Sequence, residues 1–195
     1  MLNIVLFNGG RGASTIINSL KKQNNISITS IINAYDDGKS TGEIRRFFGM
    51  VGPSDIRKVQ ELMLPVDDVD YESNLRVFRH RFPINCVRDN VLANLHAYSD
   101  GSKVDLEGTF FTSTKVSAAL RSLIKEFLDG LNCIEQVIGE RFNFADCSLM
   151  NCIYAGAFLE LNRNIEQATI FVDRLFKLRG TVLPTSIENK KLVAL

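Results

Sequence analysis

The N-terminal part of the chain alternates between short apolar runs and polar, glycine-rich breaks. Residues 3–7 are almost continuously apolar, which is typical of a strand buried on both faces. Apolar side chains then recur at helical spacing between residues 13 and 22, and residues 26–34 are rich in Ile, Ser and Thr, which favours a second strand. Strand, glycine turn, helix and strand together predict a βαβ unit with parallel strands and a right-handed crossover.

The middle of the chain carries helical periodicity. Residues 65–178 are predicted to be largely helical, and the clearest helices there fall on residues 115–128, 147–161 and 164–178. Beyond Gly180, residues 181–185 predict a third strand and residues 190–195 a fourth. The whole pattern predicts a single α/β domain over residues 1–195, with a Rossmann-like three-layer fold, a parallel sheet and a helical middle segment.

Composition narrows the classes of function. Of the 195 residues, 45% are hydrophobic and 23% are charged, which is ordinary for a globular protein. The formal net charge is +1, so the chain as a whole lacks the basic surplus of a nucleic-acid-binding protein or of a membrane-surface anchor. No apolar stretch has bilayer-spanning length, and the N-terminus lacks the basic start of a secretory signal. We therefore expect a cytoplasmic protein with no nucleic-acid partner and no membrane partner.

The four cysteines form no C-x-x-C pair and have no zinc-ligand spacing with the two histidines. This pattern predicts free thiols in a reducing compartment. A catalytic cysteine is the alternative.

The first motif is Gly9-Gly10-Arg11-Gly12-Ala13-Ser14-Thr15, between the first strand and the first helix. Glycines let a backbone turn tightly and approach a ligand closely, and free N–H groups at a helix start favour an anion such as phosphate. The motif matches neither G-x-G-x-x-G nor the P-loop. It predicts phosphate contacts, and the alternative is a plain strand–helix connector. The predicted contacts are Gly9, Gly10, Arg11, Gly12 and Ser14.

The second motif, Asp36-Asp37-Gly38-Lys39-Ser40-Thr41-Gly42, follows the second strand. Ligands of open α/β sheets bind beyond the carboxyl ends of the strands. An acidic residue there is suited to a ribose hydroxyl, and paired carboxylates are suited to Mg²⁺ beside a diphosphate. We predict ligand contacts from Asp36, Ser40 and Thr41. A solvated turn is the alternative, because Asp, Gly and Ser are common turn residues.

The third motif is Gly52-Pro53-Ser54-Asp55-Ile56-Arg57-Lys58. One interpretation is structural: Ser54 caps a helix, and Asp55 stabilises its first turn. The functional interpretation adds the Asp55 carboxylate and the Arg57 guanidinium to the same crevice, where Arg57 is suited to clamp a phosphate.

Taken in order, the motifs resemble the family of CofD, the 2-phospho-L-lactate transferase of coenzyme F420 biosynthesis, and of its gluconeogenesis-factor relative YvcK. That family opens with a strand and Gly-Gly-Thr-Gly, ends its second strand with Asp-Asp-Gly-Gly-Ser-Ser-Gly-x-Leu-Arg, and continues with Pro-Gly-Asp-Ile-Arg-Asn. The similar segments here are residues 9–12, 36–45 and 53–58. Ser148-Leu149-Met150-Asn151 is similar to the family's Ser-x-Gly-Asn segment, and Gly180-Thr181-Val182-Leu183-Pro184 to its Gly-x-Val-Leu-Pro strand.

The resemblance implies a nucleotide-linked ligand and Mg²⁺. In the transferase branch the ligand is a guanylyl phospholactate donor, and phospholactate passes to a flavin-like acceptor. In the YvcK branch the ligand is a nucleotide sugar, and the role is regulatory. Carried over by position, Asp37 and Asp55 are the expected catalytic and metal-binding carboxylates, and Asn151 faces the ligand. We therefore expect a CofD-like transferase, with a non-catalytic regulator of the YvcK type as the alternative.

The end of the chain suggests a sheet that extends further. The resembling family continues beyond its Val-Leu-Pro strand, and a sheet of two or three strands leaves apolar edges open. We expect residues 1–195 either to be the N-terminal portion of a longer fold or to complete the sheet by self-association as a homodimer.

Overall fold

The computed structural model describes residues 1–190, whose strands form one parallel sheet in the order β1-β2-β3. β1 (Leu2–Asn8) lies beside β2 (Ile26–Ile32), with Leu2 opposite Ile26 and Asn8 opposite Ile32. β3 (Thr181–Pro184) pairs with the other edge of β2. The βαβ unit, the third strand and the α/β class are therefore confirmed, while residues 191–195 of the predicted fourth strand lie outside the described residues.

A short 3₁₀ turn and eight α-helices connect the strands in the described part of the chain. The turn is Gly10–Ala13, and the helices are α1 (Ser14–Leu20), α2 (Lys39–Phe48), α3 (Ser54–Met63), α4 (Tyr71–Arg79), α5 (Arg88–Ser99), α6 (Thr114–Ile138), α7 (Leu149–Glu160) and α8 (Ile165–Leu175). The predicted helical middle segment is confirmed. The amphipathic helix predicted at residues 115–128 is longer than expected, because α6 continues to Ile138 and ends at the left-handed Gly139.

α7 is the centre of the core. Its residues from Leu149 to Phe158 are all buried, which explains why its sequence has no polar face. Gly156 lies against the backbone of Leu123 in α6, so the two helices approach more closely than a side chain there would allow. The closest aromatic contact beside α6 joins Phe142 and Phe144, whose ring centroids lie 4.8 Å apart.

The helices of the described part cover one face of the sheet. In β2, Ile28 and Ile32 are buried beneath them, as is Val182 of β3. Right-handed crossovers from β1 to β2 and from β2 to β3 place both sets of connecting helices on the same side. Among the described residues the opposite face is open, and Val5 and Phe7 of β1 are exposed there, so the burial of β1 on both faces that its apolar run predicts is not found.

The beginning of α3 differs from the structural interpretation of its sequence. Ser54 is the first helical residue and Pro53 is the N-cap, which makes no side-chain capping bond, so the prediction that Ser54 caps the helix is wrong. The Ser54 hydroxyl instead hydrogen-bonds the Thr41 hydroxyl. This contact fastens the start of α3 to the start of α2.

Among residues 1–190, no helix combines the length and the apolar character that crossing a membrane requires.

Candidate functional site

The glycine bend after β1 packs directly against the start of α3. Gly10 has a left-handed backbone with φ of +44°, and a Cβ built on it would lie 2.7 Å from Oδ1 of Asp55. Around Gly9 and Gly12, by contrast, an added Cβ would meet no atom within 4 Å. The bend therefore carries a carboxylate on one side and leaves open space on the other.

Asp55 is also held by its own helix. Its Oδ1 accepts a hydrogen bond from Nζ of Lys58, one turn further along α3, at 2.8 Å. The pair is partly exposed, so both its charges lie at the surface of the bend. Sequence analysis missed Lys58 as a site residue, although its spacing of three from Asp55 on a helix was the signal for this pair.

Asp36 connects the tip of β2 to the same place. Its Oδ2 accepts from the Thr41 hydroxyl at 3.1 Å, and Thr41 in turn bonds Ser54, the neighbour of Asp55. The tips of β1 and β2 are themselves joined, because the N–H of Asn33 donates to the carbonyl of Asn8 at 3.3 Å. The acidic turn at residues 36–42 is thus connected to the glycine bend through the hydroxyl groups of Thr41 and Ser54, and not by a direct contact of Asp36 with the bend.

Arg45, which was not among the predicted site residues, holds the backbone of the acidic turn after β2 in place. This buried guanidinium donates to the carbonyls of Tyr35 and Asp36, both at 3.1 Å, and lies 3.8 Å from Oδ1 of Asp37. It also donates to Oδ1 of Asn189. In the sequence, the only signal for Arg45 was its position at the end of segment 36–45, which resembles the family's pattern. Its contacts with the turn follow only from the fold.

Three other predicted residues form a separate buried network. Nδ2 of Asn151 donates to the Ser40 hydroxyl at 2.9 Å, and Oδ1 of Asn151 accepts from Nε of Arg57 at 3.1 Å. Asn151 is completely buried, so its amide is used to hold Arg57 and Ser40. Ligand contact by Asn151 stays a prediction.

Arg57 lies on the side of α3 that faces away from the glycine bend. It is 5% exposed, and its hydrogen bonds end on neutral oxygens, those of Asn151 and of the Phe78 carbonyl. Burial lowers the pKa of Arg57 to about 10, and the positive charge of Arg81 acts in the same direction. The guanidinium still carries its charge at neutral pH, so it adds a positive potential behind the site.

Arg11 does not block the bend. Its side chain is 60% exposed, and Nη2 donates at 3.0 Å to Glu61, whose carboxylate is only 4% exposed. The other oxygen of Glu61 accepts from Nε of Arg79 at 2.7 Å. One buried carboxylate therefore holds two arginines at the margin of the candidate site. Ser14, another predicted contact, is the first residue of α1 and is half-buried.

The carboxylates suit only one mode of Mg²⁺ binding. Within residues 1–190, no group of three or more His, Cys, Asp and Glu side chains is arranged to hold a metal ion. Mg²⁺ beside nucleotides commonly takes one or two carboxylates and completes its shell with phosphate oxygens and water. Asp55 lies beside Gly10. Binding of Mg²⁺ by Asp37 and Asp55 stays a prediction.

Comparison with known proteins decides the family. The model of the family described as 2-phospho-L-lactate transferase CofD matches residues 4–195. This chain belongs to the CofD family. The resemblance seen in its sequence motifs is thereby confirmed.

The curated relatives of this CofD-family chain carry a different name. The gluconeogenesis factor of Listeria monocytogenes is 36% identical over 93 residues, which cover 47% of this chain and 27% of the relative. The gluconeogenesis factor of Bacillus subtilis is 28% identical over 138 residues, covering 63% and 42%. The putative gluconeogenesis factor of Thermotoga maritima is 26% identical over 153 residues, covering 71% and 45%. The chain thus spans less than half the length of these relatives.

Solved structures agree on the fold. Two crystal structures of a protein from Bacillus halodurans, one of them described as a member of the UPF0052 family, match 96% of this chain. Their TM-scores are 0.57 and 0.58, at 21% and 20% sequence identity. The match covers 40% and 41% of those chains, so most of the solved protein has no counterpart here.

Proposed function

We propose that this chain binds a nucleotide-linked, phosphate-bearing ligand at the Gly9–Gly12 bend and acts with Mg²⁺ as a CofD-like transferase of the 2-phospho-L-lactate transferase type. The observation that carries the proposal is the placement of the Asp55 carboxylate against Gly10, with open space at Gly9 and Gly12. Both features lie at the carboxyl end of a parallel sheet, where open α/β folds bind their ligands.

The bend is suited to phosphate for electrostatic reasons. Arg11 and Lys58 present partly exposed cations at its margin, and the buried Arg57 adds charge from behind α3. Backbone N–H groups of a glycine-rich turn approach an anion without a side chain in the way. Together they offset the negative charge of a diphosphate, which the Asp55 carboxylate alone would repel.

Asp55, with Asp37 or Asp36, is the proposed holder of Mg²⁺. When bound, this ion would neutralise phosphate charge as a leaving group departs. The chain's own contribution is positional. Arg45 fixes the acidic turn, and the Asp36–Thr41–Ser54 chain fixes the distance between that turn and α3.

A regulator that binds a nucleotide sugar without turnover is the second candidate. One observation favours it: the curated relatives are called gluconeogenesis factors. Both candidates use the same bend, and they differ only in whether a product forms.

Calorimetry with GDP, a UDP-sugar and NAD, each with Mg²⁺, tests the shared part of the proposal. We expect binding of at least one nucleotide, weakened about tenfold or more in Asp55→Asn, since a metal-bridging carboxylate is lost. Asp67→Asn is the matched control, because Asp67 is exposed and pairs with Arg179 away from the bend. Wild-type protein that binds none of these nucleotides would refute the proposal.

Product analysis then separates the two candidates. Under the transferase proposal, a guanylyl phospholactate donor and a flavin-like acceptor give product in the wild type, and Asp37→Ala abolishes turnover without loss of the fold. Unchanged turnover in Asp37→Ala would remove that residue from the catalytic set. Binding with no product over hours would establish the regulator instead.

A further inference from the structure

Two of the four cysteines lie next to one another at the beginning of α7. Cys147 precedes the N-cap residue Ser148, and Cys152 is the fourth residue of the helix. At helix starts, the residue before the cap commonly packs against the fourth helical residue, and this contact fixes how the chain enters the helix. Both cysteines are completely buried, so the contact brings two thiols together inside the core.

The surroundings of Cys147 favour its thiolate. The Cys152 thiol lowers the pKa of Cys147 by hydrogen bonding to its sulfur, while burial acts against this shift. The Ser40 hydroxyl and the positive charges of Arg81 and Arg57 lower the same pKa further. Burial instead raises the pKa of Cys152, and the neighbouring Cys147 adds to that rise. Because the thiolate is the reactive form, Cys147 is the better nucleophile of the pair.

A turn at the surface covers Cys147. The preceding residue, Asp146, has a left-handed φ of +55°, and its carboxylate pairs with Nε of Arg81 at 2.7 Å. Both of these side chains are about two-fifths exposed. The N–H of Cys147 closes the turn by donating to the Phe144 carbonyl at 2.9 Å. Local opening of this one turn would give a small uncharged oxidant access to the Cys147 sulfur.

We propose that Cys147 and Cys152 are a redox-active pair, which hydrogen peroxide or another small peroxide converts to a disulfide. The Cys147 thiolate attacks a peroxide oxygen, so that an S–O bond forms, the O–O bond breaks and the departing hydroxide takes up a proton. The Cys152 sulfur then attacks the sulfenic acid on Cys147. The S–S bond forms, the S–O bond breaks, and the oxygen leaves as water with the proton of Cys152. The two thiols lose two electrons, the peroxide is reduced to two waters, and a thiol reductant reverses the change.

The pair is connected to the acidic turn through Ser40. The Ser40 hydroxyl accepts from the N–H of Ser148 at 3.2 Å and from Nδ2 of Asn151 at 2.9 Å. It also hydrogen-bonds the Cys147 sulfur. A thiolate is a charged acceptor and a disulfide sulfur is a neutral one, so oxidation weakens this bond. We therefore expect oxidation to loosen the turn at residues 36–42.

A chain that keeps only the proposed pair tests the chemistry. In Cys86→Ser/Cys133→Ser, brief exposure to hydrogen peroxide is expected to remove two hydrogen atoms from the intact mass, and non-reducing peptide mapping is expected to join Cys147 to Cys152. Dithiothreitol is expected to restore the original mass. Adding Cys152→Ser removes the second thiol, so the sulfenic acid is expected to persist on Cys147, where dimedone traps it. Adding Cys147→Ser instead is expected to leave the chain unlabelled.

Cys133 of the wild-type chain shows that the oxidant is active, because this thiol is exposed. Oxidation of Cys133 in the wild type, with both thiols of Cys86→Ser/Cys133→Ser still reduced, would overturn the proposal and leave the pair as a packing contact. Labelling of Cys152 by dimedone, and not of Cys147, would overturn the order of attack.

Hydrogen exchange measures the connection to the acidic turn. Amide exchange of residues 36–42 is expected to be several-fold faster in the oxidised form of Cys86→Ser/Cys133→Ser than in its reduced form. Residues 165–175 in α8 are the internal control and are expected to exchange equally in both forms. Equal rates at residues 36–42 would overturn the connection through Ser40. None of these measurements needs a bound nucleotide, so their outcome is separate from that of the proposed function.

Discussion

The Asp55 carboxylate occupies the space that a side chain on Gly10 would need. Oδ1 of Asp55 lies 2.7 Å from the position of that missing Cβ, and Cγ lies at 3.2 Å. Gly10 is thus required twice, once by its left-handed φ of +44° and once by the approach of α3. The other glycines of the bend carry no such packing requirement, so their space is left for a ligand.

Gly10→Ala is expected to destabilise the fold by roughly 1–3 kcal/mol, because it adds backbone strain and displaces Asp55. Gly12→Ala is the contrast, since no atom lies within 4 Å of its added Cβ. We expect Gly12→Ala to change the free energy of unfolding little but to weaken nucleotide binding by crowding the open side. Urea unfolding and calorimetry measure the two effects. Equal stability losses in the two variants would contradict the conclusion that Asp55 fills the space beside Gly10 while the space beside Gly12 is open.

Glu61→Gln tests the carboxylate shared by Arg11 and Arg79. Because both arginines are more than half exposed, they gain water when the charge is removed, and we expect a loss of only about 1–2 kcal/mol. The released positive charge at the bend is expected to tighten GDP–Mg²⁺ binding roughly threefold at low salt, an effect that added salt removes. Asp67→Asn, which breaks an exposed pair with Arg179, serves as the control and is expected to change neither quantity. Weaker nucleotide binding in Glu61→Gln would show that Glu61 acts by positioning Arg11.

Arg57→Lys keeps the positive charge but removes the planar guanidinium group, so it tests whether the geometry of that group is needed in the buried network. The Arg57 guanidinium reaches both the Asn151 amide oxygen and the Phe78 carbonyl, at 3.1 and 3.3 Å, and a lysine has no planar fork with which to reach both. We expect a loss of about 1–3 kcal/mol from the acceptor left unpaired in the core. Arg174→Lys on the exposed side of α8 is the matched control, expected within about 0.5 kcal/mol of wild type. Thermal unfolding of both variants checks the difference, and equal midpoints would argue against the buried network.

The sequence was sufficient for the parts of the fold that follow from local periodicity. The apolar run of β1, the βαβ connection and the fully buried α7 each follow a pattern that one segment carries by itself. The approach of Asp55 to the Gly10 bend was expected only as one of two interpretations of the third motif and from the resemblance to the family, because Asp55 belongs to α3 and not to the end of a strand.

The remaining site geometry depends on contacts between distant segments, which periodicity does not encode. Arg57 was expected in the crevice, but residues two apart on a helix point to opposite sides, so Asp55 and Arg57 cannot both face the bend. Arg45 and Glu61 were overlooked because their partners lie on other elements. Ser54 matched a capping pattern, yet the neighbouring Thr41 hydroxyl took its hydrogen bond.

Asp173 gives the fold a pH dependence of defined sign. Its carboxyl is buried on α8, where it accepts from Gln60 at 2.7 Å and from the N–H of Val182 in β3 at 2.8 Å. Burial raises the pKa of Asp173 to about 7, although both hydrogen bonds act against the shift. In the unfolded chain the same carboxyl has a pKa of about 3.9.

Between those two pKa values the folded state keeps the Asp173 proton and the unfolded state releases it. The free energy of unfolding is therefore expected to fall as pH rises from about 4 to about 7, by up to roughly 4 kcal/mol, and to level off above pH 7. Asp173→Asn cannot ionise, so the difference between wild type and variant isolates this contribution from the other titrating groups. Urea unfolding at one-unit pH steps measures it. Because a raised pKa stabilises only the protonated fold, a difference that is constant with pH, or one that favours wild type as pH rises, would contradict the buried-acid assignment.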